Sequence, residues 1–147
     1  MYNGILHAHS GLRYILLAGL LLVIFNAYKG KSLGKEFTDK DRKLGLIAFI
    51  SAHVQLVLGP ILYFWNAGGK VSFENMMTNK IYRFYTIEHA VGMLLAITIL
   101  TIGYIKAKKG TDSKARFKTQ FNYYLIALIL ILASIPWPFR GLGAGWF

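Results

Sequence analysis

Cysteine is absent from the 147 residues, which excludes disulfides, thiolate metal sites and covalent haem attachment through a C-x-x-C-H run. Acidic side chains are nearly as scarce, six against seventeen Lys and Arg. No H-x-x-x-H or H-x-x-E spacing occurs, so the usual helical zinc signatures are missing too. Nothing basic precedes the first apolar segment, and its first cation, Arg13, lies within it. That segment therefore reads as a retained helix and not as a signal peptide.

What is abundant is apolar surface. Of the chain 55% is hydrophobic, a balance that an ordinary water-soluble domain does not show. A membrane span needs about 20 mostly apolar residues, because a helix rises about 1.5 Å per residue against a hydrocarbon core of roughly 30 Å. Four segments qualify, residues 5–28, 44–66, 81–105 and 121–139, with connections too short for another folded domain. The expected fold is all-α, one integral membrane four-helix bundle, followed by a non-helical tail over 140–147.

Charge gives the bundle a direction. Lys29, Lys31, Lys35, Lys40, Arg42 and Lys43 fill the first connection, and Lys106, Lys108, Lys109, Lys114, Arg116 and Lys118 fill the third. Twelve of the seventeen cations thus sit in two loops, which the positive-inside rule places in the cytoplasm, leaving both termini outside. Anionic lipid headgroups suffice as partners for these loops, and nucleic acid is not expected despite the formal charge of +11.

Local chemistry marks the boundaries. Asn26, Tyr28 and Gly30 close the first helix, Thr38-Asp39-Lys40-Asp41 offers capping oxygens to the second, and Gly34 interrupts the charged run between them. The loop Ala67-Gly68-Gly69-Lys70 reads as flexible, and Phe73, Met76 and Met77 as a short interfacial element. Pro136 and Pro138 stop the last helix. Trp65, Trp137, Trp146, Tyr82 and Tyr85 fall on the outer side, as an aromatic belt would. Gly45, Ala48, Ala52 and Gly59, with Gly92, Ala96 and Gly103, form small-residue stripes that allow close packing or make room for a flat ring.

Ionisable groups inside a membrane cost about 2.5 to 3.5 kcal/mol or more each, so their positions are informative. They are His7, His9 and Arg13 in the first helix, His53 in the second, and Glu88 and His89 in the third. Arg13 and Glu88 lie at matching depth, roughly 10 to 14 Å down, and an ion pair between them is expected. His9 shares a helical face with Arg13, whereas His7 points away and is expected to be solvated. Imidazoles from facing helices can hold haem iron as an axial pair or bind a transition-metal ion. His53, His89 and His9 are the candidate ligands, with Arg13, Arg83 or Arg140 available to haem carboxylates. A bare metal would want a tighter group such as His9, His89 and Glu88. A His53–His89 pair is mismatched by roughly 6 Å in depth, which tilt or an early helix end at Gly59-Pro60 would absorb; otherwise His9 pairs with His89, leaving His53 to a second site.

These residues sit in longer strings: Leu6-His7-Ala8-His9-Ser10-Gly11-Leu12-Arg13-Tyr14, His53-Val54-Gln55-Leu56, Glu88-His89, and Ser134-Ile135-Pro136-Trp137-Pro138-Phe139-Arg140-Gly141-Leu142-Gly143-Ala144-Gly145-Trp146-Phe147. Over nearly its whole length the chain resembles small bacterial four-helix membrane proteins labelled cytochrome B. The resemblance implies haem b held by membrane histidines in a bacterial inner membrane, and electron transfer with a quinol or an outer-face partner as a membrane oxidoreductase. It departs from four-helix diheme cytochromes in having no histidine near the cytoplasmic end. A non-catalytic accessory subunit of a larger membrane complex, docking through its Trp-rich tail, is the reading from a different class.

Overall fold

The apolar runs become helices, all of which begin before the expected spans and two of which, the first and third, also run past them. The computed structural model describes residues 1–66 and 68–146. Ala67 and Phe147, part of the expected flexible loop and of the expected tail, lie outside the described residues. Four long helices follow one another: α1 (Tyr2–Ser32), α2 (Asp39–Trp65), α3 (Lys80–Lys109) and α4 (Ser113–Ser134). Each is long and apolar enough to cross a membrane, the architecture of a multi-pass membrane protein, and the described residues are otherwise turns and one short 3₁₀ turn, Pro138–Arg140.

The extensions have local causes. Lysine and arginine favour helices, so the charged segments beside each span remain helical until a capping group or glycine intervenes. α1 runs past Gly30 to Ser32, and Gly34, with φ +62°, turns the chain. α2 starts where Asp41 accepts from both the backbone N–H and the hydroxyl of Thr38, at 2.8 and 2.7 Å. The same carboxylate accepts from Asn26 Nδ2 at 2.8 Å, fastening the two helices together. α4 begins eight residues before its expected start because Asp112 accepts from Ala115 N at 2.7 Å. It ends at Ser134, not at 139, since Ile135 is extended ahead of Pro136. α2 continues through Gly59 and Pro60 to Trp65 and does not stop early.

α3 is irregular. Between the α-helical turn Lys80–Arg83 and the long stretch His89–Lys109 lies a π segment, Phe84–Glu88. One extra residue in the turn rotates the rest of the helix about its axis. Residues 73–78, the expected interfacial element, form consecutive turns with Phe73 and Met77 exposed.

The main contacts run from α1 to α2, α2 to α3, α3 to α4 and α4 back to α1. All four contribute to one apolar cluster, with Leu20, Ala48, Ala52, Ala96, Leu100, Tyr124 and Ala127 at its centre. The small-residue stripes serve packing here. A side chain at Gly103 would sit 2.3 Å from Tyr123 Cβ, and one at Gly92 would sit 2.1 Å from Ser134 Oγ. Outward positions such as Leu21, Phe25, Ile50, Val57, Leu95 and Ile129 are exposed, an apolar exterior of the kind a lipid solvent requires.

Candidate functional site

The start of α1, the end of α2, the start of α3 and the end of α4 meet at one end of the molecule, where Tyr2 and Trp65 touch edge to face at 5.8 Å. A cavity of about 570 Å³ opens there. His9, Arg13, Gln55, Tyr85 and His89 line it, and the backbone of Gly143, Ala144 and Gly145 forms one wall.

The backbone that holds His89 follows from two prolines. In a continuing helix, Leu132 and Ser134 would accept from the N–H groups of residues 136 and 138, but both are proline and have none. The freed carbonyls take side chains instead. Leu132 O accepts from Trp137 Nε1 at 2.9 Å, and Ser134 O pairs with His89 Nδ1 at 2.7 Å. Arg140 Nη1 donates to Ala133 O at 2.7 Å and Ile135 O at 3.0 Å. Its guanidinium lies 4.7 Å from the Phe84 ring centre. Arg140 therefore clamps the end of α4; it does not line the cavity, contrary to the expectation that it meets haem carboxylates there.

A carbonyl only accepts, so His89 Nδ1 carries the proton and its Nε2 keeps a free lone pair. The π segment turns His89 inward and its neighbour outward. Glu88 accepts from Arg83 Nε at 2.8 Å, and both side chains are about half exposed. The expected Arg13–Glu88 pair is not the one formed. No Asp or Glu among the described residues pairs with Arg13.

Arg13, only 9% exposed, instead reaches the tail: Nη2 donates to the carbonyls of Trp146 and Gly145 and to Tyr14 Oη. Tyr14 Oη also donates to Trp146 O at 2.8 Å, and the Arg13 guanidinium lies over the rings of Tyr14 and Trp137. From the opposite rim Lys70 donates to Gly143 O, and its burial lowers the ammonium pKa below the usual lysine value. Two cations thus strap the glycine-rich tail across the cavity.

His9 faces His89, ring centres 6.3 Å apart and planes at 79°. Its Nδ1 is buried and without a partner among the described residues, as are Arg13 Nε and Gln55 Oε1. Native interiors rarely leave such atoms unsatisfied, and here three belong to residues lining one cavity. Gln55, 8% exposed, donates to His9 O at 2.9 Å. It is the residue a search of ionisable groups passes over; its signal was a lone amide in an apolar run.

His53 is elsewhere. It lines an adjoining cleft of about 250 Å³ between α2 and α3, with Thr98 and Thr101, that shares Leu56, Leu94 and Ile97 with the larger cavity. The structure brings His9 and His89 together, and places His53 in the neighbouring cleft and not beside His89. His7 is exposed. No group of three His, Asp or Glu among the described residues is close enough to hold a metal ion, Glu88 having turned away from His9 and His89. No family model, curated protein or solved structure matches this chain.

Proposed function

We propose that the chain is a membrane haem b protein that transfers electrons, a four-helix bundle of the bacterial inner membrane with both termini outside. The basic loops at 29–43 and 106–118 support that orientation. It puts the cavity in the outer half of the bilayer.

The observation that carries the reading is the facing pair His9 and His89, 6.3 Å between ring centres, beside a cavity of about 570 Å³. The residues fit the group. His89 offers Nε2 to iron because Ser134 O fixes its proton on Nδ1, a common arrangement for metal-bound histidine. His9 supplies the facing imidazole. Arg13 Nε, a donor with no partner among the described residues, is suited to a haem carboxylate. Leu6, Leu56, Met93 and Ile131 supply apolar wall. Bound haem would supply a one-electron ferric/ferrous couple; the chain's part is to hold it, keep it dry and present it toward a quinol or a protein at the outer surface.

The test is the optical spectrum of the chain purified from membranes supplied with haem. A Soret band that shifts on dithionite reduction is expected, abolished or strongly altered by His89→Ala and His9→Ala and retained in His53→Ala. Protein that folds and shows no such band overturns the proposal. A band insensitive to His9 and His89 but lost in His53→Ala overturns the ligand assignment.

A further inference from the structure

The His53 cleft shares apolar walls with the larger cavity, but its polar groups, His53, Thr98 and Thr101, belong to it and not to that cavity. His53 Nδ1 pairs with Phe49 O, one turn back, at 2.8 Å. A carbonyl cannot donate, so in the neutral imidazole the proton is on Nδ1 and Nε2 is an acceptor. Its nearest partner is Thr101 Oγ1 at 3.5 Å, a distance at which little hydrogen bonding remains. The Thr101 hydroxyl proton is already committed to Ile97 O at 2.7 Å. Thr98 likewise gives its proton to Leu94 O at 2.7 Å. Three acceptors, His53 Nε2, Thr101 Oγ1 and Thr98 Oγ1, thus line a cleft of about 250 Å³ whose other walls are Leu56, Leu94, Ile97 and Ile102.

What such a site lacks is a donor. We infer that this cleft binds an apolar, membrane-dissolved molecule through a hydroxyl group, a phenol or an alcohol, whose O–H donates to His53 Nε2. A metal ion is the poorer fit, because the site offers one imidazole, two neutral hydroxyls and no carboxylate. Neighbouring rings hold the His53 imidazole in place: Phe49 lies 4.1 Å from it, centre to centre, and Tyr104 lies 4.7 Å from Phe49. Both Leu94 and Ile102 are well exposed on the outer surface of α3, so a ligand enters sideways from lipid.

The test is a titration of full-length protein, labelled with ¹⁵N-histidine and held in lipid nanodiscs, with 4-heptylphenol, its methyl ether 4-heptylanisole, and 1-decanol. The phenol should shift the His53 Nε2 resonance upfield and saturably, leaving His89 unmoved. The ether, matched in shape but without the donor, should bind about tenfold more weakly, the equivalent of one hydrogen bond. A decanol response equal to the phenol's identifies any hydroxyl as sufficient, and a phenol-only response narrows the class to phenols; either supports the site. Equal shifts from phenol and ether overturn it. In His53→Phe, with folding checked by an unchanged His89 resonance, contacts between the phenol and the Ile97 and Ile102 methyls should weaken about tenfold, and unchanged contacts overturn the proposal. Repeating the titration in His89→Ala separates this site from the haem site: the shift should persist there, and its loss overturns an independent cleft.

Discussion

The two ends of the four helices are built to opposite standards. At the end carrying the basic loops, polar groups find partners: Asn26 with Asp41, Asp112 with Ala115 N, Phe37 N with Ser113 Oγ at 2.9 Å, and Arg116 Nε with Ala107 O at 2.7 Å. Arg116 also caps the Phe37 ring at 3.8 Å, above a cluster of Ala27, Phe37 and Phe117. Among the described residues, the buried side-chain atom left over there is Gln120 Oε1. At the other end, three buried polar atoms on His9, Arg13 and Gln55 have no partner among the described residues, and the three side chains line one cavity. A chain that satisfies its polar groups so thoroughly at one end, and leaves them open at the other, marks the second end as the place where something else completes the structure.

The sharpest test of that contrast sets one residue from the well-packed region against one from the open end. Tyr124 is fully buried and its hydroxyl donates to Gly45 O at 3.0 Å. Tyr124→Ala should cost about 3 to 5 kcal/mol, the range for deleting a large buried aromatic, measured by unfolding in mixed micelles. In haem-free protein His9→Phe should be neutral or slightly stabilising in the same assay, because it removes an Nδ1 unsatisfied among the described residues while keeping a ring. Equal losses at the two positions would break the comparison.

Next in size is the strap across the cavity. Replacing Arg13 by Met leaves the carbonyls of Gly145 and Trp146 without their charged donor. At about 1.5 to 3 kcal/mol for hydrogen bonds to a charged group, the tail should open more often. Hydrogen exchange at amides 143–146 should accelerate by about tenfold to a hundredfold, while amides in the middle of α4 stay protected. Gly103→Val falls in a similar range. Its side chain would collide with Tyr123 Cβ, already 2.3 Å from the first added carbon, and overpacking of this kind costs about 1 to 3 kcal/mol. The loss should appear in global unfolding and not in tail exchange.

How far the sequence anticipates these features differs by level. The four spans are legible because hydrocarbon thickness imposes a minimum length of apolar chain, and all four segments meet it. Helix ends are less legible, since Asp112 and Asp41 act through local hydrogen bonds that hydropathy does not register. Periodicity correctly puts His9 on the Arg13 face and leaves His7 exposed. It fails at Glu88, because a π segment over Phe84–Glu88 shifts the phase of the helix, and no composition rule signals one. Arg140 and Lys70 are misjudged or missed for a related reason: both bind backbone carbonyls exposed by the tail's own path, which only tertiary structure supplies.

The smallest expected effect is at the ion pair that replaces the anticipated one. Arg83 and Glu88 meet at 2.8 Å, with side chains 51% and 44% exposed, and exposed pairs contribute about 0.2 to 1 kcal/mol. Arg83→Ala or Glu88→Gln should therefore change unfolding by no more than that, and less at high salt. The double exchange Arg13→Glu with Glu88→Arg is the decisive form. Were Arg13 and Glu88 partners, the swap would restore what each single change loses. In the arrangement described, Arg13 holds tail carbonyls, which a carboxylate can only repel, so the swapped protein should be no more stable than Arg13→Glu alone and its tail should exchange as fast. A rescued swap would return Glu88 to the interior and give Arg13 the carboxylate partner that it lacks among the described residues.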